Sequence, residues 1–345
     1  MRKHITLLAA VLIYAGANAQ TRTDLQRSVS EFQESRPLYN VSIGVVKGDS
    51  TFYFQMGSDV TKETVFEIGS LTKTFTGLLL ALAIERKEIP SNAFIDKYLP
   101  GSVKLSPSLR NKIKMTDLAS HQSGLPNFND DQYIMDLFKN DPDQPFRSVD
   151  SKYLYHVLSN TDTLANYGIY QYNNFAYGLL GQLLSNHARV SYADLLNREI
   201  LKPLGLSHTS LTRQSNLPHA KLMDSEENIK QPIVVSGMAP AGGLYSNAED
   251  MVAYLKAQIT PAASILGKSI KRTQETFYKD KDLGVGLGWE MQNGLITKTG
   301  DTWGNSCIMS FNPEARIGIV VLSDHRDSQL VQDVAMKLLA ILTRK

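Results

Sequence analysis

The 345-residue sequence predicts an α+β fold: one antiparallel sheet of about five strands formed by both chain ends, flanked by terminal helices, with a large, mainly helical lobe inserted between them. Three observations predict it. Short runs of β-type composition occur at 41–56 and return at 295–323. Between them, from residue 64 to about 274, helical patterns dominate, broken by loops rich in Pro, Asn and Asp at 126–131 and 140–144. Cys307 is the only cysteine, so no intramolecular disulfide can form and the fold must rest on its apolar core. A chain of this length can bury one.

Residues 1–19 have the make-up of a cleavable export signal, with basic Arg2 and Lys3, an apolar stretch from Ile5 to Tyr14, and Ala17 and Ala19 ahead of Gln20. The expectation is a mature chain starting at Gln20, periplasmic or secreted, with no stable membrane anchor after cleavage. The apolar stretch is short for a span, and no later run of about eighteen apolar residues occurs. Without Arg2 and Lys3 the 36 basic residues fall to 34, against 34 acidic ones, so the mature form is formally neutral. Long basic runs and aromatic–basic stripes are absent, and a nucleic-acid partner is not expected.

After the leader, residues 25–35 read as an amphipathic helix, and 41–46 pairs with 51–56 as a hairpin across 47–50. The stretch Phe66-Glu-Ile-Gly-Ser-Leu-Thr-Lys73 opens a helix that is apolar on more than one face through Leu78, Leu79, Leu80, Leu82 and Ile84, and therefore buried. Residues three apart share a helix face, so Lys73 can reach the Ser70 hydroxyl, and burial beside a helix N-terminus favours its neutral amine. A neutral lysine can take the proton of a nucleophilic serine, and the Ser70 amide, free of an intrahelical partner, can hold an oxyanion. Tyr172-Asn-Asn174 stands at a loop-to-helix corner, where the Tyr hydroxyl can exchange a proton with Ser70 and Asn174 can meet a substrate amide. Lys298-Thr-Gly300 ends a strand at 295–299; Lys298 and Thr299 can hold a carboxylate, Gly300 permits close approach, and the Asp301 amide can be the second oxyanion donor. Strands at 306–311 and 317–323 and a helix at 329–343 complete the chain. Each motif taken singly also has an ordinary structural reading: a helix cap, a packed tyrosine, a surface strand ending in a turn.

Other chemistries find no support. His121, His156, His187, His208, His219 and His325 are scattered, without the spacing of a helical metal site, so no metal and no cofactor is expected. Neither a Gly-x-Ser-x-Gly elbow nor a phosphate-cradling Gly-rich loop is present. Cys307 reads as a small buried residue.

In order and separation, Ser70-Leu-Thr-Lys73, Tyr172-Asn-Asn174 and Lys298-Thr-Gly300 resemble the three active-site motifs of the penicillin-recognising serine hydrolases, most closely the class C β-lactamase branch and its D-alanyl-D-alanine peptidase relatives. Supporting stretches are similar too: Thr74-Phe-Thr-Gly77, Leu118-Ala-Ser-His-Gln-Ser-Gly-Leu-Pro126, Pro203-Leu-Gly205, Ala241-Gly-Gly-Leu-Tyr-Ser-Asn-Ala-Glu-Asp250 and Gly286-Leu-Gly-Trp289. The resemblance spans about residues 38–325. It implies a β-lactamase/transpeptidase-like catalytic domain over 20–345, its sheet lobe at about 20–66 and 283–345 and its helical lobe at about 67–282. It further implies a covalent mechanism. Ser70 attacks the carbonyl, Lys73 and Tyr172 handle its proton, and the amides of Ser70 and Asp301 hold the oxyanion. Asn174 binds the acyl side-chain amide, while Lys298 and Thr299, with Gly300, bind the substrate carboxylate. The implied partner is a small molecule, a β-lactam or a D-Ala-terminated peptide. Asp301, followed by Thr302 and Gly304, looks more like the esterase and peptidase relatives, whereas Lys298 favours a carboxylate-bearing substrate. A D-alanyl-D-alanine carboxypeptidase or D-aminopeptidase, a small-ester esterase, and a non-catalytic penicillin-binding sensor or scaffold are the alternatives. The three intact motifs speak against the last.

Overall fold

The computed structural model describes residues 2–128 and 132–344, with side chains from residue 19 onward. The expected loop at 126–131 is described only as far as Phe128, its last three positions lying outside the described residues. Residues Arg2–Ser35 form one helix, which begins well before the predicted start at 25. Among the described residues no helix is long and apolar enough to cross a membrane.

The expected hairpin is β1 (Val41–Lys47) and β2 (Ser50–Met56), paired with Lys47 opposite Ser50 around Gly48, whose φ is +57°. Two short strands, β3 (Phe66–Glu67) and β4 (Tyr245–Ser246), form a separate antiparallel ladder. Then come β5 (Tyr278–Asp280), β6 (Leu283–Val285), β7 (Glu290–Gln292), β8 (Leu295–Asp301), β9 (Ser306–Asn312) and β10 (Ile317–Ser323). The main sheet has eight strands in the order β2-β1-β10-β9-β8-β7-β6-β5, with antiparallel pairing throughout. The five predicted strands are its wide part, and β7, β6 and β5 extend it beyond β8. Those three are only three residues long and mostly half-buried or exposed, so they lack the apolar alternation by which a strand is read.

β10 shows how the sheet separates two cores. Ile317, Ile319 and Val321 face a cluster with Leu25 and Val29 of the first helix and Leu330, Val334 and Leu338 of the last, Ser328–Leu342. The alternate residues Val320 and Leu322 belong to the other core, with Met251, Val252 and Leu255 of the Ala248–Ile259 helix. A strand covered on both faces loses the inside–outside alternation of a half-exposed one, and all seven residues of β10 are buried. The second core runs on into the helical lobe. At its centre lies the helix Thr72–Glu85, every residue of which from Thr72 to Ile84 is buried.

Candidate active site

The first element of the site is the junction of a turn with a strand. Gly69–Leu71 is a short 3₁₀ turn leading directly into the Thr72–Glu85 helix. Gly69 has φ +46°, and a Cβ there would stand 2.6 Å from the carbonyl oxygen and 2.8 Å from the nitrogen of Asp301. Across the joint, a Cβ on Gly300 would lie 2.2 Å from the Ile68 carbonyl oxygen. The two glycines therefore let the backbone that carries Ser70 lie directly against the end of β8. Cys307, on β9, sits in the same joint with Sγ 3.1 Å from the Ile68 oxygen and 3.3 Å from that of Gly300, and burial pushes its thiol well above the usual range. That is a structural thiol, kept protonated.

Lys73 Nζ is 2.8 Å from Ser70 Oγ, 2.8 Å from Asn174 Oδ1 and 2.7 Å from the Ala241 carbonyl oxygen. Tyr172 donates its hydroxyl to Ser70 Oγ at 2.6 Å. The helix Asn174–Ala188 explains why two neighbouring asparagines behave differently: Asn173 is its N-cap, accepting the Ala176 amide at 2.8 Å, which leaves the Asn174 side chain to face Lys73. Lys298 Nζ lies 4.7 Å from the centre of the Tyr172 ring. Ser70, Lys73, Tyr172, Asn174 and Lys298 are thus together in one place. Thr299 and Gly300 follow Lys298 on β8, and the main chain of Asp301 adjoins the Ser70 turn.

The edge of β8 is partly open. β7 pairs only with Leu295, Ile296 and Thr297, so from Lys298 to Asp301 that side of the strand has no paired neighbour strand among the described residues. An extended substrate can add there by main-chain hydrogen bonds.

The two lysines are tuned in opposite directions. Burial, aided by the charge of Lys298, lowers Lys73 from 10.5 to about 8, although attraction to Tyr172 works the other way. Burial also disfavours the cation at Lys298, but Tyr172 and Glu290 more than offset this and its pKa is raised. Burial pushes the Tyr172 hydroxyl up, and the ammonium groups of Lys73 and Lys298 bring it below its ordinary value. Neighbouring titratable groups pushed apart in this way are suited to separate tasks: Lys73 and Tyr172 to proton transfer, Lys298 to holding a fixed positive charge.

Several contributors went unread in the sequence. Glu290 is within 2.8 Å of Lys298 Nζ through Oε1, and Tyr170 donates to the same oxygen at 3.3 Å. The signal was available: Asn293-Gly294, both at positive φ, makes the two-residue turn that joins β7 to β8 and sets Glu290 opposite Thr297. His121 is buried against Tyr172, with ring centres 4.6 Å apart, and its Nδ1 accepts the Asn173 amide at 3.0 Å. Burial holds the imidazole well below its ordinary pKa, so it positions the Tyr172 loop as a neutral ring. The carboxylate of Asp301 is held by two hydroxyls, with Oδ1 accepting from Ser306 at 2.5 Å and from Ser328 at 2.6 Å.

A cavity of about 120 Å³ opens on Ser70 and reaches Asn174, Ala241 and Asp301. Wider hollows lie on the helical lobe, one of about 930 Å³ between residues 97–100 and 182–192, but none of the predicted residues lines it. Among the described residues no three His, Cys, Asp or Glu side chains gather as a metal would require.

A family model described as Beta-lactamase matches residues 25–342. A protein of Escherichia coli K12 called Beta-lactamase is 25% identical over 92% of this chain and 94% of its own length. One of the same name from Yersinia enterocolitica is 25% identical over 86% of this chain and 81% of its own length. Protein flp of Staphylococcus aureus N315 is 25% identical over 76% of this chain, which spans about half of that longer protein, 53%.

Proposed function

The chain belongs to the beta-lactamase family, a serine hydrolase of that fold, and we propose from this that it hydrolyses β-lactams in the manner of the class C branch, through an acyl-enzyme on Ser70. The observation that carries the reading is the convergence on one hydroxyl: Lys73 Nζ at 2.8 Å and the Tyr172 hydroxyl at 2.6 Å from Ser70 Oγ. Ser70 Oγ attacks the lactam carbonyl while its proton passes to the neutral fraction of Lys73. The oxyanion is held by the amides of Ser70 and Asp301. The lactam C–N bond breaks as its nitrogen takes a proton relayed through Tyr172. Asn174 holds the acyl amide. Lys298, cationic and with donors beyond the one given to Glu290, holds the substrate carboxylate together with Thr299. The room that Gly300 gives is taken by the Ile68 carbonyl of the Ser70 turn, so its part is to seat that turn against β8. Water then attacks the ester as Tyr172, having passed its own proton to neutral Lys73, takes one from the water; that proton goes on to Ser70 Oγ as the ester breaks, and Lys73 returns its proton to Tyr172, releasing the acid and restoring the site.

A panel of a chromogenic cephalosporin, a D-Ala-D-Ala peptide and p-nitrophenyl esters tests the substrate. Turnover of the cephalosporin is expected, and turnover of esters alone would defeat the β-lactam reading. The peptidase and esterase readings draw on Asp301, followed by Thr302 and Gly304, directly after Lys298-Thr-Gly300, and on the stretch from Leu118 to Pro126. Export rests on residues 1–19, and a mature mass beginning at Gln20 in the periplasmic fraction is the corresponding expectation.

Tyr172→Phe removes only the hydroxyl and leaves the ring against His121. The expected result is a folded protein whose covalent adduct forms more slowly, because the lactam nitrogen loses its proton relay, and then persists, with release slowed about 10²-fold or more. Time-resolved intact mass after mixing with a penicillin reads it, and release at the unmodified rate would exclude Tyr172 as the deacylating base.

A further inference from the structure

We infer that Asn305 is a positioning residue for the oxyanion pair: its buried side chain ties the turn that follows Asp301 to the strand that leads into Ser70, and so sets the spacing of the two amides. The inference rests on the reading of Ser70 as the nucleophile and of the Ser70 and Asp301 amides as the oxyanion donors. Those amides come from opposite ends of the chain, and both must meet the same oxygen. Among the described residues no strand pairing joins the two segments, since β3 pairs with β4, and β8 with β7 and β9. What joins them runs from side chain to main chain.

Asn305 is 1% exposed and closes the four-residue turn between Asp301, the end of β8, and Ser306, the start of β9. Within the turn the Thr302 amide donates to the Asn305 carbonyl at 2.9 Å, and the Asn305 amide donates to the Thr302 hydroxyl oxygen at 3.1 Å. The residue next to Asp301 is thereby fixed to Asn305. Across 238 residues of sequence, Asn305 Oδ1 accepts the Glu67 amide at 3.0 Å, three positions before Ser70. Nδ2 donates to the Gly304 carbonyl at 2.9 Å and to the Lys221 carbonyl at 3.0 Å, so the oxygen and both N–H groups of the side chain are in use. Glu67 is itself buried, and Asn305 supplies the partner that its amide requires. The following amide, of Ile68, donates elsewhere, to the Leu244 carbonyl, and the Ile68 carbonyl meets Cys307 Sγ. Residues 67 and 68 are therefore each held by a side chain from the β8–β9 unit. Buried polar groups with every partner in place fix one spacing, where an apolar contact would allow sliding.

The acyl transfer from p-nitrophenyl acetate to Ser70, followed in single turnovers, separates the acylation rate constant from the dissociation constant of the bound ester. Asn305→Ala, checked for folding by circular dichroism, is expected to lower the rate constant about 10- to 100-fold and to leave the dissociation constant within about threefold. Phenylboronic acid, which adds to Ser70 Oγ as a tetrahedral adduct with an oxygen in the oxyanion's place, should bind this variant more weakly by about the same factor as the rate falls. Asn305→Ser, still polar but one atom too short to meet the Glu67 amide, carries the test if Asn305→Ala does not fold. An unchanged rate constant in the folded variant overturns the inference. So does a rise in the dissociation constant as large as the fall in rate, which marks general loosening of the site. If the unsubstituted protein leaves no acetyl adduct on Ser70 by intact mass after acid quenching, the nucleophile assignment has failed and the inference falls with it. A Ser70 adduct together with an unchanged rate in Asn305→Ala leaves that assignment standing and defeats the inference alone.

Discussion

Ser70→Ala is expected to abolish covalent adduct formation and to reduce turnover by a factor on the order of 10⁶, the scale set by removing a serine nucleophile from a hydrolase. The substitution deletes one oxygen that receives two short contacts, from Lys73 at 2.8 Å and from Tyr172 at 2.6 Å. Lys73 keeps Asn174 Oδ1 and the Ala241 carbonyl as partners, so the local fold has no reason to collapse. Intact mass with a penicillin, beside steady-state rates, gives the answer. Retention of a near-normal rate would place the nucleophile elsewhere.

The second large effect belongs to Lys73. Lys73→Ala is expected to slow acylation about 10³-fold or more, because it removes the base and leaves the serine proton with Tyr172 alone. With Lys73 held at about 8, acylation in the unsubstituted protein should fall as pH drops below about 8, where the amine is increasingly protonated. A flat acylation profile from pH 6 to 9 would count against Lys73 as the base. The same burial has a thermodynamic side. The folded state binds this proton less tightly than the unfolded chain does, so stability rises as pH climbs from about 8 toward 10.5 and is lost in the reverse direction. At neutral pH the difference is about 3 kcal/mol, taken at 1.36 kcal/mol per tenfold. Lys73→Met, of similar length and no charge, should therefore be inactive and should lose the rise of stability between about pH 8 and 10.5, read from thermal melts across that range.

How much of this the sequence made legible depended on whether a group acts through its own local pattern or through distant neighbours. The Ser70 helix announced itself because it is apolar all round, and the three motifs lie in short, recognisable surroundings. β7, β6 and β5 carry too few buried side chains to show a period. The Ala241 carbonyl carries no side-chain signal at all, and its role exists only once the helical lobe has folded over Lys73. Glu290 was within reach, since the Asn293-Gly294 turn fixes its register against β8. The cap at Asn173 and the free side chain at Asn174 could not be told apart by position, because either asparagine could have started the helix. Asp301 gained meaning from the structure as well: its carboxylate is held by Ser306 and by Ser328 of the last helix, a partner 27 residues away.

The pairing of β1 with β10 governs how the molecule can come into being. Val41 lies opposite Ser323, and the Asn40 amide bonds Asp324 across 284 residues of sequence. The central ladder of the sheet cannot close until residue 323 has been made, and a contact over so long a loop forms late and slowly. During synthesis the N-terminal hairpin therefore waits without its partner strand. For a chain proposed to leave the cytoplasm, that delay leaves it open to be threaded through a membrane pore, with the sheet and the Ser70–Asp301 joint assembled on the far side.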